Sequence, residues 1–155
     1  MKFALQLRHN FSLGLALLMA LASGQLQASE NPSPFYQFDR HTVIVSVFTS
    51  AFLQADIANA YGFSRGKDQA LINVSVVPNP NTGASVGLAA ELSGTATNLL
   101  QQQAQLEFQE IKEGGATYYL APFRFINEEI VHLDLTVAID GESYTLKVTK
   151  KLYVD

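Results

Sequence analysis

Alternation of apolar and polar residues, the pattern of a half-buried strand, recurs along most of the chain. The most regular stretch is 131–139, where every second residue is apolar: Val131, Leu133, Leu135, Val137 and Ile139. Further runs lie at 35–49, 71–77, 86–98, 105–125 and 144–154, and the run 105–125 contains two strands. The pattern therefore predicts a β-sheet protein of about seven strands.

Two glycine turns predict hairpins between neighbouring strands. Gly114-Gly115 divides the run Gln105 to Phe125, and Asp140-Gly141 separates the last two strands. Both dipeptides readily adopt the left-handed conformation that a two-residue hairpin loop needs. Short, regular spacing between strands indicates antiparallel pairing and predicts a seven-stranded immunoglobulin-like sandwich. The chain has no Cys and no Trp, so the likeness is one of architecture alone.

One short helix is expected after the first strand, over roughly Phe52 to Tyr61. Its apolar residues fall on one helical face, Thr49-Ser50 can cap its start, and Gly62 can end it. Two later segments are less regular. Leu99 to Ala104 fits a loop or one helical turn, and Gly94 suits a bulge or a bend in its strand.

The first 28 residues have the layout of a secretory signal peptide. Lys2, Arg8 and His9 precede the apolar run Phe11 to Leu21, which is too short to span a bilayer. We expect cleavage after Ala28, with Gly24 as the second choice; a buried helix or a retained anchor is the alternative. The expected product is a soluble periplasmic protein with one domain over 29–155 and no membrane span.

Charge and composition narrow the classes of partner. The net charge is −4, and it falls to −6 when Lys2 and Arg8 leave with the signal segment. An acidic body argues against nucleic acid and anionic lipid, because both need a basic face. The absence of Cys excludes disulfides, thiol catalysis and lipid attachment near the cleavage site. The partner expected is a periplasmic protein or an envelope component.

The catalytic inventory is small. Only His41 and His132 follow the signal segment, and no metal-ligand spacing accompanies them, so both are expected at the surface. The carboxylates of Glu107, Glu110 and Glu113 share one hairpin but are expected to be solvated. No nucleophile elbow or phosphate loop is present. These observations predict no catalytic residue, no metal, no cofactor and no enzyme activity.

Arg65 and Lys67 are the best candidates for binding. They flank Gly66 just after the helix, where two cations could hold an anionic group, or could instead anchor the loop to Glu110 or Glu113. The remaining candidates are Asn73 within an apolar strand, Tyr119 and Glu110. Asn73 and Asn98 could equally tie backbone in place. Tyr118 and Tyr119 point to opposite faces, so one is expected in the core and the other at the surface.

Several segments together resemble a known family. The most specific are Tyr61-Gly62 with Arg65 and Lys67, Leu71-Ile72-Asn73, and the hairpin Glu110-Ile111 with Glu113 to Tyr119. In order and spacing they resemble the family called domain of unknown function 4426, small exported proteins of Gram-negative bacteria. This chain has Ile44 and Ser46 where the family tends to have His and Asn, and Gly66 where it tends to have Ser. The resemblance implies export and a fold but no established activity.

These observations favour an exported, non-catalytic β-sandwich that acts as an interaction or accessory module. The alternative is a binder of a small anionic ligand, with Arg65, Lys67 and Tyr119 lining a mouth between helix and sheet. A hydrolase that uses paired carboxylates is the third hypothesis. An interaction module should expose an apolar patch or an open sheet edge. A ligand binder should instead show a pocket where the two cations converge.

Overall fold

A computed structural model describes residues 33–80 and 87–154, which lie in one compact unit; the predicted signal segment 1–28 lies outside them. The described residues form nine strands and one α-helix, α1 (Ala55–Tyr61). The strands are β1 (Phe35–Gln37), β2 (His41–Thr49), β3 (Gln69–Pro78), β4 (Glu91–Asn98), β5 (Gln103–Gln105), β6 (Gln109–Glu113), β7 (Ala116–Arg124), β8 (Glu129–Ile139) and β9 (Glu142–Leu152).

The strands form two antiparallel sheets. One has the order β1-β2-β3-β7-β6 and the other the order β5-β4-β8-β9. Apolar side chains of both sheets pack between them, so the predicted β-sandwich is confirmed. The strand count is nine rather than about seven, because the run 35–49 is divided into β1 and β2 and because β5 was not expected.

Both predicted hairpins are present. Gly114 and Gly115 connect β6 to β7 with φ values of 56° and 83°, and Asp140 and Gly141 connect β8 to β9 with φ values of 50° and 78°. Two successive positive φ values match the right-handed twist of the flanking strands. Sequence therefore located both turns correctly.

A second, smaller core lies on the outer face of the five-stranded sheet. There α1 places Ala58 against Leu71, Ile111 and Leu120, which point away from the other sheet. Gly62 ends α1 in the left-handed conformation with a φ of 72°, as predicted. The start differs from the prediction, because Ser50–Phe52 forms a 3-10 turn and α1 begins after Gln54 without a side-chain cap.

Two further expectations hold only in part. Residues 99–104 contain a turn followed by β5, rather than a loop or a helical turn alone. Gly94 makes no bulge, because the pairing of β4 with β8 continues without a shift from Glu91 to Asn98. A side chain at Gly94 would instead lie 2.7 Å from the backbone oxygen of Asp134, so the strands leave no room for one.

The sandwich has two distinct ends. At the first, called the loop end, β2, β4, β7 and β9 finish; it comprises residues 50–68, 99–102, 124–129 and 150–154. At the second, called the hairpin end, the two glycine turns lie beside the β1–β2 connection and the residues entering β4. Along the described part of the chain, no helix has the length and apolar character needed to cross a membrane.

Candidate functional site

Exposed apolar side chains are concentrated at the loop end. Of the seven large apolar side chains that are exposed among the described residues, six belong to it: Phe52, Leu99, Leu100, Ile126, Tyr153 and Val154. The exposed fraction reaches 78% for Leu100, 74% for Phe52 and 68% for Ile126. The seventh, Phe35, lies on the edge strand β1. Clustering of exposed apolar side chains of this kind is typical of an interaction surface.

Asn98 holds the Leu99-Leu100 turn in place. Its Oδ1 accepts hydrogen bonds from the backbone N–H groups of Leu100 and Gln102, each at 3.0 Å. Its Nδ2 donates to Gln102 Oε1 at 2.8 Å and to Glu129 Oε1 at 3.0 Å. The side-chain amide thus fills the role in backbone support that the sequence suggested, and it leaves both leucines outside the core.

The same network joins the other connections of the loop end. Glu129 Oε2 accepts a hydrogen bond from the N–H of Ile126 at 2.9 Å, and Asn127 Oδ1 accepts one from the N–H of Val154 at 3.0 Å. The turn after β4, the β7–β8 connection and the residues after β9 are therefore tied together. Their apolar side chains share one end of the molecule.

A cleft opens between the two sheets at the loop end. Its volume is about 330 Å³. Its lining combines polar side chains, including Asn98, Gln102, Gln103, Arg124 and Glu129, with apolar ones, including Ala96, Phe125 and Val131. The strand β5 borders the cleft and is the outermost strand of its sheet, so one edge of its backbone is unpaired.

The loop end has a small excess of positive charge, with five cationic and four carboxylate side chains among its described residues. It carries Arg65, Lys67, Arg124, Lys150 and Lys151, which are five of the eight Lys and Arg residues outside the signal segment. Arg124 pairs with Asp68 at 2.9 Å and Lys151 pairs with Glu128 at 3.5 Å. Within residues 33–80 and 87–154, Arg65, Lys67 and Lys150 form no ion pair.

Arg65 and Lys67 both lie at this end, next to the 3-10 turn. Arg65 Nη2 donates a hydrogen bond to the backbone oxygen of Ala51 at 2.9 Å. Lys67 lines a concavity of about 290 Å³ together with Thr49, Ala51 and Phe52. Glu110 and Glu113, the acids suggested as anchors, contact Lys112 and Tyr118 instead. The loop is therefore attached through backbone rather than through those carboxylates.

Tyr119 and Glu110 lie away from the two cations. Tyr119 is buried between the sheets, where its hydroxyl accepts a hydrogen bond from the N–H of Ala90 at 2.7 Å. Both residues line a cleft of about 600 Å³ near the hairpin end, which also contains Asp140 and Glu142. The predicted mouth between helix and sheet is thus not formed by Tyr119. Of the two neighbouring tyrosines, Tyr118 is the one on the helix side.

Asn73 lies in β3 on the outer face, opposite Ser46 of β2 and Leu120 of β7. Its Oδ1 is buried and accepts no hydrogen bond from the described residues. An unsatisfied amide oxygen of this kind costs stability. The structure therefore places the five candidates in two groups, with Arg65, Lys67 and Asn73 toward the helix-bearing side and Tyr119 with Glu110 toward the hairpin end.

His41 is buried, contrary to the expectation of a surface histidine. Only 3% of it is exposed, because it faces Tyr144 across the gap between the sheets. Its Nδ1 lies 2.8 Å from the Tyr144 hydroxyl, and its Nε2 lies 3.4 Å from Asp140 Oδ2. Arg40, the preceding residue, pairs with Glu142 at 3.1 Å. This cluster joins β2 to the β8–β9 hairpin at the hairpin end.

The cluster shifts two acid–base equilibria. Tyr144 donates a hydrogen bond to the Glu142 carboxylate, and this bond, together with partial burial, raises the pKa of Tyr144 to about 12. The same hydrogen bond, helped by Arg40, lowers the pKa of Glu142. Each shift favours the state in which the tyrosine is protonated and the carboxylate is charged. The ring of His41 is buried and therefore not accessible to a substrate. The geometry of the cluster is that of a contact between β2 and the β8–β9 hairpin.

His132 lies on the outer face of its strand, as the sequence predicted. Its Nδ1 is 2.9 Å from Thr149 Oγ1 on the neighbouring strand. Throughout the part of the chain that the structure describes, no group of three His, Cys, Asp or Glu side chains is arranged to hold a metal ion.

Sequence reasoning missed the apolar residues of the loop end. The signal was available in Leu99-Leu100, two leucines in a segment without strand alternation, followed by three glutamines. Two leucines in such a segment are candidates for an exposed contact, although Leu106, also outside the strands, is buried. The sequence could not show that Ile126 and Tyr153 lie at the same end as these leucines. Only the strand order brings the turn after β4, the β7–β8 connection and the residues after β9 together.

Comparison with known proteins supports the resemblance noted above. The family model of the domain of unknown function DUF4426 matches residues 35–155. The chain belongs to the DUF4426 family. A solved DUF4426 protein, PA0388 from Pseudomonas aeruginosa PAO1, is 31% identical with a TM-score of 0.69, and the match covers 78% of this chain and 94% of that one.

A second solved structure shares only the fold of this DUF4426 protein. It is FetP of uropathogenic E. coli strain F11, which is 8% identical with a TM-score of 0.56 over 77% of this chain and 92% of that one. No curated protein matches the chain. Family membership therefore supplies a fold and no activity, and the proposal of a function depends on the site itself.

Proposed function

We propose that this DUF4426 protein is an exported, non-catalytic module that docks through its loop end on a protein or another component of the cell envelope. The observation that carries the proposal is the placement of Phe52, Leu99, Leu100, Ile126, Tyr153 and Val154 at one end of the sandwich. Burial of large apolar side chains contributes about 1.5–3 kcal/mol each, so a few of them suffice for a stable contact.

A periplasmic location is supported by the layout of residues 1–28, with a basic start, a short apolar run and small residues before Ser29. FetP, which shares the fold, was produced in the periplasm for its structure. A domain of this size buries enough apolar surface to fold without disulfides, so the absence of Cys does not oppose that location.

A non-catalytic role is supported by the state of the ionisable groups. His41 is enclosed by Tyr144 and Asp140, and His132 contacts Thr149 on an open strand face. General acid–base catalysis needs such a group within reach of a bound substrate. The loop end instead presents amides, cations and apolar side chains, which suit binding.

The strand order supports the immunoglobulin-like classification. With the short strands β1 and β5 left aside, the order is β2-β3-β7-β6 in one sheet and β4-β8-β9 in the other. Named A to G along the chain, these strands form the sheets ABED and CFG of a seven-stranded immunoglobulin domain. In such domains the loops at one end are a common binding surface.

The test is affinity capture from envelope extracts. The chain is expressed at full length, purified after export and immobilised, and it is offered both soluble periplasmic and detergent-solubilised membrane fractions. We expect the double variant Leu99→Ser/Leu100→Ser to lose at least tenfold of the material that the wild type retains, because two leucines no longer contribute their burial energy.

The matched control is Phe35→Ser, which removes an exposed aromatic side chain outside the loop end. It should retain as much as the wild type. Equal retention by the leucine variant and the wild type would exclude the loop end as the docking surface. A wild type that retains nothing above an unrelated protein would refute the docking function itself.

The alternative is a binder of a small anionic ligand, favoured by the concavity beside Lys67. Arg65 lies next to it and is held by Ala51, so its guanidinium is already positioned. Titration with inorganic phosphate, followed by the amide resonances of residues 65–67, tests this function. A saturable shift that is lost in Arg65→Ala/Lys67→Ala supports it, and a linear, unsaturated response excludes it.

A further inference from the structure

We infer that the loop end docks on an anionic phospholipid surface. This inference rests on the docking function proposed above and names the partner. The sequence argued against anionic lipid, because the net charge of the chain after the signal segment is −6. The structure shows that this charge is not spread evenly. Cations and exposed apolar side chains occupy the same end, and most carboxylates lie elsewhere.

The described residues of the loop end carry five cations and four carboxylates, a net charge of +1, whereas the other described residues carry three cations and eight carboxylates, a net charge of −5. Of its carboxylates, Asp68 and Glu128 are paired with Arg124 and Lys151, and Glu129 accepts hydrogen bonds from Asn98 and Ile126. Three cations remain without ion pairs in the described residues: Arg65, Lys67 and Lys150. Two carboxylates oppose them without an ion pair of their own in the described residues: Asp56, at the start of α1, and Glu129, whose hydrogen bonds come from neutral donors.

The hairpin end has the opposite character. Around its turns lie the carboxylates of Asp39, Glu91, Glu110, Glu113, Asp140 and Glu142, against the cations of Arg40 and Lys112. The eleven residues of β8 separate the two ends by about 36 Å at ~3.3 Å per residue. That distance is several times the Debye length of about 8 Å at physiological salt. A surface that touches the loop end is therefore screened from the acidic end.

The combination of side chains distinguishes a lipid surface from a protein partner. Lysine is depleted at protein–protein interfaces, and leucine is uncommon among their dominant residues. Leucine, isoleucine and phenylalanine beside lysine and arginine are typical of segments that lie in the membrane interface. Here Leu99 and Leu100 project from the turn after β4, Ile126 projects from the β7–β8 connection, and Lys67 and Lys150 belong to the same end. Separate side chains can enter a fluid interface without matching a rigid partner.

Tyr153 fits the same geometry. It is exposed, and the ammonium group of Lys151 lies 5.1 Å from the centre of its ring. Tyrosine and lysine are favoured together at the level of lipid headgroups, where the ring is half buried and the cation meets phosphate. Asp155 follows in the sequence, outside the described residues. Its carboxylate opposes binding to an anionic surface, so Asp155→Asn should bind more tightly.

The test is flotation with vesicles. The full-length chain is expressed, purified after export and mixed with vesicles of phosphatidylcholine alone or of phosphatidylcholine with phosphatidylglycerol. We expect binding to the anionic vesicles, weakened by salt. Lys67→Gln and Lys150→Gln should each weaken it about fivefold, since one cation near such a surface contributes on that order. Leu99→Ser/Leu100→Ser should weaken it at least tenfold.

Two controls match these variants. Lys147→Gln removes an exposed cation in the middle of β9, where it pairs with Asp134, and Phe35→Ser removes an exposed apolar side chain on β1. Neither should change the binding. Losses in the controls as large as those in the loop-end variants would overturn the assignment of the surface. Equal binding to both kinds of vesicle would overturn the anionic character of the partner.

Insertion is measured separately by fluorescence, because the chain has no Trp. In Leu100→Trp the single emission band should shift to the blue with anionic vesicles, and in Phe35→Trp it should not. No vesicle binding and no shift would overturn the lipid inference. If the envelope capture described above then retained a protein, the docking function would stand with a protein partner; if that capture also failed, both would fall.

Discussion

At the scale of single residues, the cluster around Tyr144 shows how two sheets can be joined by polar groups. The hydroxyl of Tyr144 lies between His41 and Glu142, and Arg40 pairs with the same carboxylate. Phe38 stacks on the tyrosine ring with their centroids 4.2 Å apart. His41 Nδ1 and the Tyr144 hydroxyl each have a hydrogen-bond partner, so burial of the two rings does not leave these atoms unpaired.

The tyrosine titration follows from this geometry. In the folded protein the pKa of Tyr144 is about 12, above its ordinary value of 10.0. The raised pKa of Tyr144 contributes its full stabilisation below about pH 10. This stabilisation is lost as the pH rises through the pKa of the folded state. Difference absorption of the phenolate should show Tyr144 ionising last, and Tyr144→Phe should remove that step.

The contradicting result is a step near pH 12 that persists in Tyr144→Phe. Glu142→Gln is the second variant, because it removes the main cause of the shift and should bring the step down toward pH 10. The pKa shift of Glu142 affects stability in the opposite direction, at acid pH. The pKa of Glu142 is lowered in the fold, so its contribution is present above its ordinary value of 4.5 and is lost as the pH falls.

At the scale of elements, the close approach of β4 to β8 decides which positions of β4 can carry a side chain. β4 pairs with β8 without a bulge, and Leu106 N donates to Gly94 O at 2.9 Å from the other side. A Cβ atom at Gly94 would lie 2.7 Å from Asp134 O and 2.8 Å from Leu135 Cδ2. The oxygen belongs to the backbone of a central strand, so it cannot move away alone.

Gly94→Ala should therefore lower the free energy of unfolding by about 1–3 kcal/mol, the usual cost of overpacking. Chemical denaturation measures the change. The matched control is Ser93→Ala, at the adjacent exposed position of β4, which should change the stability by less than about 0.5 kcal/mol. A Gly94→Ala variant as stable as the Ser93→Ala variant would show that β4 and β8 separate easily at this point.

At the scale of the whole molecule, the two ends of the sandwich have different chemistry. Five cationic residues and six exposed apolar side chains belong to the loop end, and most carboxylates belong to the hairpin end or to the strand faces. A molecule with this distribution orients in the field of a charged surface even though its net charge is negative. On an anionic surface, this orientation would present Leu100 and Ile126 to the surface while the acidic hairpin end points away from it.

Export is the prediction that concerns the complete chain. Expressed at full length in a Gram-negative host, the protein should appear in the periplasmic fraction with a mass that corresponds to residues 29–155. Mass spectrometry of the purified product identifies the cleavage point, after Ala28 or, as the second choice, after Gly24. A full-length mass in the membrane fraction would indicate a retained anchor in place of a signal peptide. Lys2→Glu/Arg8→Glu should reduce export, because it removes the basic start.

By itself, the sequence determined the features that depend on neighbouring residues. Alternation of apolar and polar positions located most strands, and the left-handed preference of Gly114, Gly115 and Gly141 located the hairpins. The glycine stop of α1 was equally local, at Gly62. The family resemblance, based on short motifs, was confirmed over 35–155.

Only the tertiary structure decided what depends on residues far apart in the chain. His41 is buried because Tyr144, 103 positions later, faces it across the sandwich. Tyr119 is separated from Arg65 because successive side chains of β7 point to opposite faces of the sheet. Tyr118 points to the helix side, and Tyr119 points into the core between the two sheets. The loop end exists because the order of the strands brings Leu100 and Ile126 to one place. Local patterns encode how each strand pairs and turns, whereas surfaces are made where distant segments meet.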